Sequence, residues 1–262
     1  MKVQDQHKIK PETQSCQTAV SGCTVVFNED WRITTSSFPD KYFDWVVDDI
    51  PYGIGAGKMA FLKETKTTVK QKNGVRLNPN KNKKVYTQKD WDDKTPEQDY
   101  FDEMRRISKH QIIFGVEYVN WTGLGNGRIK WNKGVAEGMS FKDYEMAYCS
   151  SINHTHEIDL LWAGMQQAEN LQNPMRQQGN KKLNEKRIHP CHKPTLLYKK
   201  LAIDFDFKGK KIYCGHNGSG SDRIAFFDYV DEFVASEIDK EYFDLQENRF
   251  SNFINAPRLR FL

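Results

Sequence analysis

Lys211-Ile212-Tyr213-Cys214-Gly215-His216-Asn217-Gly218-Ser219-Gly220-Ser221 is the stretch on which the fold turns. Lys211 to Cys214 reads as a short strand. A glycine-rich turn follows, then a helix predicted over Asp222 to Tyr229, then a second strand over Glu232 to Glu237. Strand, glycine turn, helix and strand together let a backbone approach a nucleotide-like ligand closely. An acid about 20 residues beyond the turn, here Glu237, can bond ribose hydroxyls. No Gly-Lys-Ser/Thr follows the glycines, so this is not a Walker A loop, and the full dinucleotide fingerprint is also absent. Taken alone, the segment could equally be a flexible turn and an exposed acid.

Working outward, Cys23 to Phe27 and Phe43 to Asp48 read as strands, and Pro96 to Ser108 carries Tyr100, Phe101, Met104 and Ile107 at the spacing of one helix face. Gln111 to Phe114, Ile129 to Trp131 and Tyr144 to Cys149 are further strands. Thr195 to Asp204 is a helix preceded by Pro194, and Tyr242 to Phe250 is another. Strands alternating with helices predict an α/β fold with a largely parallel sheet covered on both faces. Gly164 to Arg187 is polar and reads as irregular. Gly53 to Lys89 is strongly basic, with Lys58, Lys63, Lys81, Lys83 and Lys84 among its cations and Glu64 its single acid, and reads as a long mobile loop.

The chain has 262 residues and a formal net charge of +4, which permits a nucleic-acid partner without requiring one. Its five cysteines are scattered and form no CxxC pair, which argues against a disulfide framework and for a reducing compartment. Met1 to Lys10 lacks the apolar core of a signal peptide, and no apolar run reaches membrane-spanning length, so an intracellular protein is expected.

Two further segments carry chemistry. Asp49-Ile50-Pro51-Tyr52 follows a strand directly, where open α/β sheets place their ligands. An exocyclic base amine is a poor nucleophile because its lone pair is delocalised into the ring. A carboxylate accepting one N–H, beside a backbone carbonyl accepting the other, draws density toward nitrogen and positions it. Pro51 fixes φ and holds the Ile50 carbonyl outward, and Tyr52 offers a face for a base that must leave the helix stack to be reached. An ordinary turn is the competing reading. His189-Pro190-Cys191-His192-Lys193-Pro194 is held extended by its prolines ahead of a helix, where His and Lys could meet a carboxylate. A zinc site from His189, Cys191 and His192, with His154 and His156, lacks structural-site spacing. No metal is expected.

In this order the three segments resemble the permuted, beta-type amino-group DNA methyltransferases, in which the catalytic motif precedes the cofactor motif. Asp49 to Tyr52 is similar to that family's Asp-Pro-Pro-Tyr. His189, Pro190, Lys193 and Pro194 match its His-Pro-x-x-Lys-Pro, and Gly218-Ser219-Gly220 matches the tail of its Asp-Pro-x-x-Gly-Ser-Gly. Segment 237–242 resembles its acidic ribose-binding strand end, and 106–115, 131–133 and 162–165 also look familiar. The likeness spans about Cys23 to Phe250 and is greatest to solitary bacterial and phage methylases.

The resemblance implies a Rossmann-like, mostly parallel seven-stranded sheet, S-adenosylmethionine as cofactor, and methylation of adenine N6 by Asp49, Ile50, Pro51 and Tyr52. Cytosine N4, RNA, and a decayed DNA-binding protein on the same fold stay open. Implied cofactor contacts are His189, Lys193, Pro194, Cys214, Gly218, Ser219, Gly220, Ser221, Glu237, Asp239 and, for the adenine ring, Asp30. The implied partner is double-stranded DNA, gripped by Lys58, Lys63, Lys81, Lys83, Lys84, Lys181 and Lys182; a homodimer is left open. One domain over 1–262 is expected, with the basic loop at 53–90 and a target-recognition insertion at 120–188. The implied location is the cytosol of a bacterium or phage-infected host, in a restriction-modification or phage setting. The strand beside Glu232 to Glu237 is expected to come from Cys23 to Asp30. Ile50 replaces the first proline of the catalytic motif, and Cys214 and Gly215 replace the aspartate and proline of the cofactor motif.

Overall fold

The computed structural model describes residues 23–58, 69–70, 76–77, 87–135, 142–163, 166–168, 171 and 184–256. The elements run β1 (Cys23–Phe27), α1 (Trp31–Ser36), β2 (Phe43–Asp49), β3 (Val69–Lys70), β4 (Arg76–Leu77), α2 (Gln98–Ile107), β5 (Ser108–Phe114), β6 (Arg128–Asn132), β7 (Tyr144–Cys149), β8 (Thr155–Asp159), β9 (Leu161–Ala163), β10 (Gln166–Ala168), α3 (Thr195–Asp204), β11 (Lys211–Cys214), α4 (Ser221–Phe226), β12 (Glu232–Ser236) and α5 (Lys240–Asn255). The main sheet has the order β1-β12-β11-β2-β5-β7-β6-β8. The first five strands are parallel, β7 is antiparallel to both β5 and β6, and β8 is parallel to β6.

This is the Rossmann-like α/β architecture expected, with eight strands in the main sheet among the described residues rather than seven. The additional strand is β8 at the sheet edge. Thr-His-Glu-Ile-Asp buries only Ile158, so its sequence carries little apolar signal. β1 pairs with β12 from Cys23↔Glu232 to Phe27↔Ser236, so the N-terminal strand completes the half of the sheet built by the C-terminal segment.

Neighbouring residues along the central strands point to opposite faces. Ile212, Phe233, Ile112 and Phe114 pack on one side with Leu197 and Leu201 of α3 and Phe226 of α4. Tyr213, Val234 and Ile113 pack on the other with Trp31 of α1 and Tyr100, Phe101, Met104 and Ile107 of α2. Helices therefore cover both faces. Helix α1 is absent from the sequence reading because Trp-Arg-Ile-Thr-Thr-Ser is a poor helix former. It stands on its Asp30 N-cap, which accepts from Arg32 N at 2.8 Å, and on buried Trp31, Thr34 and Thr35.

Segment 53–89, expected as loop, contains the short antiparallel pair β3–β4. Segment 164–187 contains β10, which closes a small hairpin with β9. Within 120–188, β6, β7 and β8 belong to the main sheet. Among the described residues, no helix is long and apolar enough to cross a membrane.

The chain leaves β11 through α4 toward β12 on one side and leaves β2 through α2 toward β5 on the other. The β11–β2 boundary is therefore the topological switch point, where open α/β sheets form a crevice at their strands' carboxyl ends.

Candidate active site

A cleft of about 310 Å³ opens at that boundary, within the usual range for small-molecule sites. Its lining includes Asp49, Ile50, Pro51 and Tyr52 together with Gly218, Ser219 and Glu237. β2 delivers the first group. Ile50 is buried in the core beneath the loop, so the substitution for proline is held by packing rather than by a ring. Asp92 then ties down the exit. Its buried carboxylate accepts from Tyr52 N at 2.6 Å, Gly53 N at 3.0 Å and Ala56 N at 2.7 Å. Charge-assisted bonds of this kind contribute about 1.5–3 kcal/mol each and are not additive. Asp92→Ala is expected to lower stability by roughly 3 kcal/mol, read as a shift in the urea midpoint. A shift below about 0.5 kcal/mol, the usual surface-substitution range, would remove Asp92 from this role. Gly115 makes room for the loop: its φ is +92°, and a Cβ there would lie 2.4 Å from the Tyr52 ring.

Around Asp49 the structure assembles a charge network that the sequence did not disclose. Lys193 Nζ, only 5% exposed, lies 2.5 Å from Asp49 Oδ1 and 3.0 Å from Glu145 Oε2, and it donates to Tyr52 Oη at 2.9 Å. Tyr52 Oη in turn donates to Asp49 Oδ1 at 2.9 Å, and Lys133 pairs with Glu145 at 2.8 Å. Two cations and two carboxylates thus balance. Burial opposes the Lys193 charge, but Asp49 and Glu145 outweigh it and raise the ammonium above its ordinary value. Burial also opposes the Glu145 charge, yet Lys193 and Lys133 pull its carboxyl down to about 2. Burial dominates at Asp49 and leaves it above the ordinary carboxylate value despite Lys193. Both bonds to Asp49 fall on Oδ1; among the described residues no donor reaches Oδ2. Tyr52 stacks on Tyr118 with centroids 4.7 Å apart and planes 14° from parallel, so one of its faces is already covered.

At the glycine turn, Gly218 and Gly220 adopt φ of +53° and +65°, a region that favours glycine. Glu237, buried at the end of β12, accepts from Gly218 N at 2.7 Å and Asp239 N at 2.8 Å, and burial raises its carboxyl. Beneath the turn lies Asp48, fully buried. It accepts from His216 N at 3.0 Å and from Tyr100 Oη, and pairs with His216 Nδ1 at 2.8 Å. Burial works against the Asp48 charge and the His216 charge alike, and their mutual attraction outweighs it on both sides.

The His189 to Pro194 segment is fastened by a second polar cluster. Glu185 accepts from Thr195 N at 3.0 Å, pairs with Arg249 at 2.5 Å and contacts His192 Nε2 at 3.0 Å. His189 packs against Trp91 and Tyr242, and burial, with the nearby His192 charge, lowers it to about 3.

The cleft thus brings together the expected residues Asp30, Asp49, Ile50, Pro51, Tyr52, His189, Lys193, Gly218, Ser219, Ser221 and Glu237. Four expected cofactor residues do not line it. Asp239 turns away to cap α5, accepting from Glu241 N and Tyr242 N, and to pair with Lys89 at 2.5 Å. Pro194 is the N-cap of α3, Gly220 supplies the turn into α4, and Cys214 is buried below the floor. Lys193 lines the cleft beside Asp49 with its donors already engaged. Lys58 pairs with Asp90 at 2.7 Å and Asp93 at 2.6 Å. Lys63, Lys81, Lys83, Lys84, Lys181 and Lys182 lie outside the described residues.

The sequence reading missed Asp48, Asp92, Lys133 and Glu145. Asp48 carried one usable signal, as an acid closing an apolar strand. The others have no local pattern. Among the described residues no group of three or more His, Cys, Asp or Glu could hold a metal ion.

The chain matches no family model and no curated protein. Solved structures do resemble it. One is the M1.HpyAVI–SAM complex, with 14% identity and a TM-score of 0.47 over 86% of this chain and 99% of that one. Another is PvuII DNA methyltransferase, cytosine-N4-specific, with 12% identity and a TM-score of 0.46 over 87% and 86%.

Proposed function

We propose that the protein is an S-adenosylmethionine-dependent methyltransferase acting on an exocyclic amine of a DNA base, adenine N6 in particular. The observation that carries this reading is one cleft, at the switch point, lined both by the Asp49–Tyr52 loop and by the Gly218–Glu237 pair. The residues present fit the cofactor. The Glu237 carboxylate, fixed by Gly218 N–H, suits ribose hydroxyls, and the cleft walls at Trp31 and Ile238 suit a purine ring. When bound, S-adenosylmethionine would supply an electrophilic methyl carbon on its sulfonium.

The protein's own residues do the rest. Lys193 and Tyr52 hold Asp49 by Oδ1, which leaves Oδ2 to accept one hydrogen of the target amine; the Ile50 carbonyl accepts the other. These bonds orient the nitrogen lone pair, and orientation supplies much of the acceleration. The amine loses its proton once methylated, so Asp49 need not be a strong base. A flipped base would stack on the face of Tyr52 opposite Tyr118. Double-stranded DNA would be gripped through the basic 53–90 segment and through parts of 120–188 outside the main sheet, with phosphate contacts dominating affinity.

The test is methyl transfer from labelled S-adenosylmethionine to DNA, followed by nucleoside analysis. N6-methyladenine is the expected product. N4-methylcytosine alone would overturn the base assignment, and label found only in RNA would move the substrate. No cofactor binding in calorimetry, with DNA binding intact, would favour a decayed methyltransferase fold, the reading that Cys214 motivates.

A further inference from the structure

Cys214 stands where the resembling family has an acid, and its surroundings account for the exchange. Its thiol, 2% exposed, lies between two buried carboxylates from neighbouring elements, Asp48 of β2 and Asp222 of α4. A third carboxylate at 214 would meet like charge on both sides. Asp48 is neutralised by His216. Asp222 has no such contact; the guanidiniums of Arg223 and Arg249 feel its charge only from beyond ion-pair distance. Asp222 is 3% exposed and lines the cleft, and its Oδ1 accepts from Asn217 Nδ2 at 3.0 Å and Arg223 N at 2.9 Å. It forms no ion pair with any described residue.

The other carboxylates of the cleft have partners as well: Asp30 pairs with Arg32 at 3.4 Å, and Glu29 accepts from Thr34 Oγ1 at 2.7 Å. Asp49 faces Lys193, Asp92 takes three backbone N–H groups, and Glu237 takes two. Asn217, 5% exposed and also in the cleft wall, carries a buried Oδ1 with no donor among the described residues.

We infer that Asp222, supported by Asn217, receives the α-ammonium of the cofactor's methionine arm, replacing from α4 the charge that position 214 lacks. This rests on the cofactor reading above. A buried carboxylate without a cation costs folding free energy, which a bound ammonium offsets through charge and hydrogen bonds. Burial, with the nearby Asp48 charge, holds the Asp222 carboxyl up at about 7, and an ammonium placed against it would favour its charged form.

Calorimetry with three ligands at pH 8 tests the inference. S-adenosylmethionine and its decarboxylated form both carry the ammonium; 5′-methylthioadenosine lacks the whole arm. Asp222→Asn should weaken the first two by tenfold or more and change the third by less than twofold. Unchanged affinity for all three overturns the inference, as does loss confined to S-adenosylmethionine, which would point to its carboxylate. Methylthioadenosine binding doubles as a folding control. If Asp222→Asn loses all three ligands, Asp222→Ser is measured in its place and must show the tenfold and twofold pattern; loss of all three again makes Asp222 a fold residue and overturns the inference. Wild-type protein that binds none of the ligands overturns the cofactor reading together with this one.

Discussion

Asp49→Asn is expected to reduce kcat for methyl transfer by about 10²–10⁴-fold, the range for removing a positioned acid–base group, while leaving S-adenosylmethionine affinity within a few-fold. The asparagine can present one acceptor oxygen to Lys193 and Tyr52, as Oδ1 does now. Its second atom becomes an NH₂ where Oδ2 stood, and a donor cannot accept the target amine's hydrogen. The fold should survive, because Glu145 remains a partner for Lys193 at 3.0 Å. Single-turnover label incorporation beside calorimetry separates the two effects. Full activity in this variant would remove Asp49 from the mechanism, whereas equal loss of binding and rate would make it a residue of the cleft's shape.

Lys193→Met should have the largest effect on stability, roughly 3–5 kcal/mol at pH 7, because it leaves Asp49 and Glu145 buried with only Lys133 in support. The pH dependence has a definite sign. In the wild type, Glu145 has a folded value of about 2, below its ordinary 4.5. Its contribution is therefore fully present above pH 4.5 and is lost as pH falls toward 2. Without Lys193, the two carboxylates repel and take up protons more readily when folded, so the variant gains relative to the wild type as pH falls. Urea unfolding at pH 7 and pH 4 should show the gap narrowing. A gap below about 1 kcal/mol, or one independent of pH, would mean that Lys193 does not hold this network together.

Much of the frame is legible in the chain itself. Apolar runs, helix-spaced apolar positions and turn residues mark Cys23–Phe27, Tyr144–Cys149, Thr195–Asp204 and Lys211–Cys214 at the bounds the structure has. These elements bury a regular face, and a regular face leaves a periodic trace. β8 and α1 leave almost none. β8 is a polar edge strand with one inward residue, and α1 stands on a cap and on tertiary packing against poor local propensity.

The sequence alone settled the order of the chemical segments: an acid–x–Pro–Tyr loop at one strand's end, a Lys-Pro segment before a helix, and a glycine turn leading to a strand-end acid. Each is a local pattern, dictated by what backbone turns require. The tertiary structure alone decided how the charges pair. Lys193 lies with Asp49 and Glu145, and Asp48 holds His216. Asp92 anchors the Asp49 loop, Asp239 leaves the glycine turn for the α5 cap, and Cys214 lies between Asp48 and Asp222. A lysine or aspartate buried in such a network has the same local signature as one in solvent. Its partners are set by which strand ends the sheet brings side by side, and that is a property of the whole chain.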